Sequence, residues 1–209
     1  MEIYSSEEQQ VEAIKRFWHE YGKAIVGGVV IGLVSLYGWR YYQAEQRASA
    51  ERVSSAYSQL LQQQDNEAWL EQAQQFIAEQ GSNNYAQFTA LLAAKEAVNA
   101  GDLAAAAQQL SFVQQHSKEP AVRALAQLRL ARVQLERGEY AAALQVLAQP
   151  VPESFNAQLA EIKGDVLLAQ GEFVQAKVSY QQALESSTQQ QPLLQIKLDE
   201  LAHIAATKG

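Results

Sequence analysis

From Ala24 to Trp39 the chain reads AIVGGVVIGLVSLYGW, sixteen residues without a charge, closed by Lys23 and Arg40. Elsewhere apolar residues recur at three- and four-residue steps among Ala, Gln and Glu, the pattern of amphipathic helices and not of strands. At 1.5 Å per residue the apolar run covers roughly 24 Å, and its flanks lengthen it toward the ~30 Å of a hydrocarbon core. Lys23 and Arg40 can snorkel outward. Trp18 and Tyr21 before the run, with Trp39, Tyr41 and Tyr42 after it, put amphipathic rings at both ends, as two membrane interfaces require.

A buried core helix and a cleaved signal peptide are the rival readings of this run. Against a signal peptide, Glu2, Glu7, Glu8, Glu12 and Glu20 outnumber Lys15, Arg16 and Lys23 in the region ahead of it, which is the wrong sign. The tripeptide Ala48-Ser49-Ala50 also lies well beyond the apolar run. The reading adopted is an uncleaved anchor, with one transmembrane helix over residues 23–42 after an N-terminal tail of residues 1–22. Orientation stays open, because Lys15, Arg16 and Lys23 on one side face Arg40, Arg47 and Arg52 on the other. Within the span, Gly28 and Gly32 form a small-x-x-x-small pair that lets a second membrane helix approach closely.

In the tail, Ser5 and Ser6 are N-cap candidates before an amphipathic stretch with Val11, Ile14, Phe17 and Trp18 on one face. After the span, Gln43 to Gln64 has an apolar stripe of Ala48, Val53, Ala56, Tyr57, Leu60 and Leu61, uninterrupted by Pro or Gly. The membrane helix is therefore expected to run on into residues 43–82, a helical linker and first helical pair over about Glu51 to Leu61 and Glu67 to Gln80.

Residues 83–209 repeat. Gly101-Asp102, Gly138-Glu139 and Gly171-Glu172 each sit between helical stretches and are followed by Leu103, Tyr140 and Phe173, at intervals of 37 and 33 residues. A turn glycine ends one helix, and the acid starts the next at its positive N-terminal end. This spacing brackets the ~34-residue period of tetratricopeptide repeats, which the residues resemble. Seven positions before the glycine stand Ala94, Ala131 and Gly164, and five after it Ala106, Ala143 and Ala176, the small residues at which paired helices approach. Leu110, Leu147 and Tyr180 occupy the ninth position after the turn. Val113 and Pro150 replace the small residue that Ala183 supplies in the third copy, so the second helices of the first two copies are expected to end early. A helix from Pro192 to about Ala206 would cap the stack. The fold class is thus all-α: one N-terminal transmembrane helix, then a tetratricopeptide-repeat-like solenoid of helical hairpins.

By that family's geometry, the first helix of each pair lines a concave groove suited to peptides or partner helices. The groove candidates are Phe88, Leu91, Lys95 and Asn99 in the first copy, Leu125, Leu128, Arg132 and Glu136 in the second, and Gln158, Glu161 and Asp165 in the third. The expected groove is apolar and basic at one end and acidic at the other. For Phe88, Leu91, Leu125 and Leu128, packing against the preceding helices is an equally valid reading.

Composition narrows the chemistry. With 48% hydrophobic and 19% charged residues the chain is of globular type, and its 35 Ala and 30 Gln favour helix over strand. The absence of Cys excludes disulfides, thiol catalysis and thiolate metal sites. A net charge of −7 disfavours nucleic acid as a partner. His19, His116 and His203 are not in metal-binding spacing, and no phosphate loop or nucleophile elbow is present, so neither an enzyme nor a cofactor is expected.

The opening Met-Glu-Ile-Tyr, the run Glu7-Glu8-Gln9-Gln10-Val11-Glu12-Ala13, and Gly22-Lys23 entering a Gly-rich span that ends Gly38-Trp39-Arg40-Tyr41 resemble the YfgM family of inner-membrane proteins. The resemblance implies a single-pass protein of the Gram-negative inner membrane, with a cytosolic tail and a periplasmic repeat domain. It also implies a role as ancillary subunit of the SecYEG translocon, acting with a membrane-anchored chaperone related to prolyl isomerases to pass translocating chains to periplasmic folding factors. The competing classes are a general scaffold for cell-envelope or division machinery and a regulator acting through its cytosolic tail.

Overall fold

A computed structural model describes residues 4–64, 68–81, 83–187 and 191–208, with the side chains of residues 4–9, 13 and 202–208 excepted. The described residues form helices and no strand: α1 Tyr4–Gln62, α2 Trp69–Gln80, α3 Asn84–Asn99, α4 Leu103–His116, α5 Pro120–Glu136, α6 Tyr140–Leu147, α7 Asn156–Ala169, α8 Phe173–Glu185 and α9 Pro192–Lys208, with a 3-10 turn at Glu153–Phe155. Two units divide the chain, residues 1–55 and 56–209.

The described residues of the first unit, 4–55, are helix alone. Ser5 and Ser6 lie within its first turns instead of ahead of them, and their side chains fall outside the described residues. From Val11 to Tyr42 its large apolar side chains face outward, among them Ile31 at 69% and Leu36 at 55% exposure. A surface apolar all round is favourable in lipid and not in water. Among the described residues, α1 is the one helix long and apolar enough to cross a membrane. Gly22 is buried beneath Trp18, whereas nothing within 4 Å of Gly27, Gly28, Gly32 or Gly38 would meet an added Cβ.

The second unit begins with the end of α1. Trp69, only 2% exposed, donates its indole N–H to the Leu60 carbonyl at 2.9 Å and ties α2 to that helix end. The repeat turns then follow one design. Gly101, Gly138 and Gly171 adopt φ of +79°, +74° and +82°, a region open to glycine at low cost. Each closes a double hydrogen bond of the Schellman type: Gly101 N to Val98 O with Asp102 N to Ala97 O, and the equivalent pairs at Gly138-Glu139 and Gly171-Glu172. Asp102 then caps α4 by accepting from the Ala105 amide at 2.9 Å. Glu139 and Glu172 make no such cap, and Glu139 instead pairs with Arg137 at 2.8 Å.

The small residues lie where helices meet. Ala106, Ala131, Ala143 and Ala176 are fully buried, Ala94 nearly so, and Gly164 faces the ring of Tyr180. Contrary to expectation the second helix of the first copy does not end early, α4 running 14 residues through Val113 to His116, whereas α6 has only 8. Pro150 and Pro152 follow α6, and the buried Gln127 of α5 donates to the Val146 and Gln149 carbonyls at 2.9 and 3.0 Å, tying the end of the short helix and the segment after it to α5. Among the described residues, apolar clusters succeed one another, centred on Leu110 with Leu130, on Leu128 with Ile162, and on Leu167 with Tyr180. Each is shared by neighbouring hairpins, as in a solenoid.

Candidate functional site

Helices α3 and α5 present parallel rows of side chains, at i, i+3, i+4 and i+7 steps, to one cleft. The cleft holds a cavity of about 710 Å³. Phe88, Leu91, Lys95 and Asn99 line it from α3, and Leu125 and Arg132 from α5, so six of the groove candidates come together. Tyr57, Leu92, Val98, Leu110, Arg129 and Val133 complete much of the wall. Tyr57 stacks in tilted contact with Tyr85 and Phe76, its ring centroid 5.1 and 6.4 Å from theirs, which fixes one end of the cleft. Burial, and then the neighbouring Tyr85, raise the Tyr57 hydroxyl above its ordinary pKa, so it stays neutral.

The remaining candidates sit elsewhere. Leu128 is only 4% exposed and packs with Ala131, Ala143, Leu147, Ile162 and Val166. The reason is helical phase: at about 100° per residue, Leu128 lies ~60° from Leu125 on the side away from Arg129, facing α6 and α7. A charge placed at Leu128 would strike the core and report nothing about the groove. Glu136 is exposed at the last turn of α5, and Gln158 is exposed in the first turn of α7, neither lining the cleft.

Glu161 and Asp165 form no open acidic end. Lys197 of α9 reaches Glu161 at 2.9 Å and Asp165 at 2.7 Å, and the Tyr180 hydroxyl donates to Asp165 at 2.8 Å. Burial pulls the Lys197 ammonium down, but the hydrogen bonds and charges of Asp165 and Glu161 outweigh it and leave its pKa raised. Burial first, and then Asp165, push the Tyr180 hydroxyl strongly up. The carboxylates expected to offer themselves to a partner are thus used to fasten the last helix.

Of the wall residues that are not among the sequence candidates, Tyr57 and Arg129 have identifiable reasons for standing outside them. Tyr57 belongs to the stripe of α1, outside the repeats whose first helices supply the groove candidates. Arg129 lies four residues after Leu125 and three before Arg132, a spacing that places all three on one face.

A family model described as "Tetratricopeptide repeat-like domain" matches residues 15–203. Proteins called "Ancillary SecYEG translocon subunit" match nearly the whole chain. The Haemophilus influenzae protein is 35% identical over 198 residues, 93% of this chain and 97% of its own. The Escherichia coli protein is 33% identical over 206 residues, 97% of this chain and 100% of its own. The chain belongs to the YfgM family. A further relative from Neisseria gonorrhoeae, 31% identical over 211 residues, covers 96% of this chain and 100% of its own. Membership in the YfgM family therefore rests on the apolar helix and the repeats together and not on the repeats alone. No solved structure matches the chain.

Proposed function

We propose that this chain is a non-enzymatic, membrane-anchored adaptor, an ancillary subunit of the SecYEG translocon. In this reading residues 1–22 lie in the cytosol, residues 23–42 cross the inner membrane, and the repeats stand in the periplasm. The α3–α5 groove holds a partner near the translocon exit, either a membrane-anchored chaperone of the prolyl-isomerase type or an unfolded chain leaving the channel. The observation that carries the reading is an open apolar groove and a lipid-type anchor helix in one chain whose relatives bear the translocon subunit's name over their full length. Tethering raises the local concentration of a partner, so the groove need not bind tightly. The exposed Gly28 and Gly32 ridge supports helix docking in the membrane, because a missing Cβ permits close backbone approach.

Photo-crosslinking in cells tests this with probes at Gly32 and Phe88. Translocon subunits are expected at the first and a chaperone or nascent chain at the second, while division or signalling proteins would overturn the reading. Replacing both Gly28 and Gly32 by Leu is expected to reduce translocon co-purification several-fold, and undiminished recovery would remove these glycines from the docking face. Deleting residues 1–20 is expected to leave partner capture intact, which a regulator working through its tail would not do.

A further inference from the structure

The walls of the α3–α5 groove combine exposed apolar surface with unneutralised positive charge. Phe88 and Val98 are 44% and 43% exposed, and Leu91 and Leu125 are half-buried beside them. Large apolar side chains left open in a concavity of about 710 Å³ accommodate one or two bulky side chains of another molecule. Around them stand Lys95, Arg129 and Arg132, all exposed.

Arg129 and Arg132 make no hydrogen bond or ion pair with any described residue. Two other cations of this domain are engaged, Arg137 by Glu139 and Lys197 by Glu161 and Asp165. In a chain with 23 acidic and 16 basic residues, two unpaired guanidinium groups beside an open Phe run against the composition. Glu96 is the acid nearest to Lys95, at 3.3 Å. Hydrogen bonds from Asn99 and then Lys95 hold its carboxyl below the usual range, so it stays ionised and offsets that one lysine. Glu161 and Asp165 are held by Lys197 and do not line the cleft, so Lys95, Arg129 and Arg132 against Glu96 leave an excess of two positive charges over it.

We propose that the groove's occupant is a peptide segment carrying carboxylates beside a bulky apolar side chain. This inference rests on the adaptor reading above and narrows the partner it takes. Guanidinium forks bind carboxylates through two parallel hydrogen bonds, and Arg129 and Arg132 share a helix face three residues apart. The apolar anchor seats against Phe88, Leu91 and Leu125 while its acidic neighbours meet the two arginines. A cationic segment is repelled, and a flat anionic bilayer cannot follow a concave wall.

The test uses the full-length chain in non-ionic detergent and fluorescein-labelled peptides with a common Leu-Phe-Leu core flanked by Glu, Gln or Lys. Fluorescence polarisation is expected to rank Glu over Gln by about tenfold, with Lys weaker still and the Glu advantage shrinking at high salt. Arg129→Gln with Arg132→Gln is expected to abolish the preference for Glu, so that the Glu- and Gln-flanked peptides then bind alike. A Glu-flanked peptide with a Gly-Ser core is expected to lose binding. Equal binding of Glu and Gln peptides, preference for Lys, no binding of any peptide, or displacement of the peptide by anionic phosphatidylglycerol vesicles each overturns the inference. The wild-type ranking alone decides if the double variant loses helicity, and translocon crosslinks at Gly32 stand or fall separately.

Discussion

Gly164 and Tyr180 meet where α7 crosses α8. A Cβ built on Gly164 would come within van der Waals overlap of two Tyr180 ring carbons, and that ring is fully buried with its hydroxyl on Asp165. The ring cannot swing away without breaking that hydrogen bond. Gly164→Ala is therefore expected to destabilise the repeat domain by about 1–3 kcal/mol, the usual cost of overpacking, read as a lower thermal midpoint. The turn glycine Gly138 responds for another reason: its φ of +74° costs a residue with a Cβ about 1–2 kcal/mol. Gly28→Ala, with nothing near an added Cβ, is expected to leave the midpoint of the repeat domain unchanged. Small residues at these repeat positions were legible from sequence, because the period placed them. That Tyr180 would spend its hydroxyl on Asp165 was not, because the partner lies 15 residues away across a helix crossing.

The last helix is held by a pairing that its own sequence does not announce. Lys197 bridges Glu161 and Asp165 from α9, and Leu194 and Leu201 enter the apolar cluster of Leu167 and Tyr180. Because the Lys197 pKa is raised in the fold, its contribution is fully present below the unfolded value and is lost as pH climbs through the folded one. Tyr180 has the same sign, since the folded state keeps its proton where the unfolded chain releases it above about pH 10. Thermal stability carried by these two groups is thus expected to be flat from neutral pH to about pH 9–10 and to fall above it. Lys197→Met with Tyr180→Phe should flatten that alkaline fall, and an unchanged slope would exclude the pair as its source. Lys197→Met alone is expected to cost about 1 kcal/mol at neutral pH, modest because the ion pair is partly solvated.

As a repeat array, the second unit divides its core among successive hairpins. Neighbouring hairpins stabilise one another and distant ones do not, so damage stays local. Removing α9 by truncation after Glu185 uncovers Leu167, Tyr180 and Ala183. Hydrogen exchange is then expected to accelerate in α7 and α8 first and to leave α3 and α4 near their original protection. Uniform acceleration across the array would mean that it folds as one cooperative block.

The helix pattern, the single apolar span and the repeat turns were determined by the sequence itself, because each depends on residues within one turn or one hairpin of one another. Gly101, Gly138 and Gly171 needed no tertiary context to mark a left-handed turn before an acidic residue. Which side of α5 faces the groove was decided only by packing: the short α6 and the crossing of α7 draw Leu128 inward and leave Arg129 outward, although both fit a first-helix face. The acidic third copy met its cation from α9, 32 and 36 residues away, beyond any repeat register. Local periodicity sets what a helix is and where it stops. Long-range contacts choose which of its faces remains for a partner.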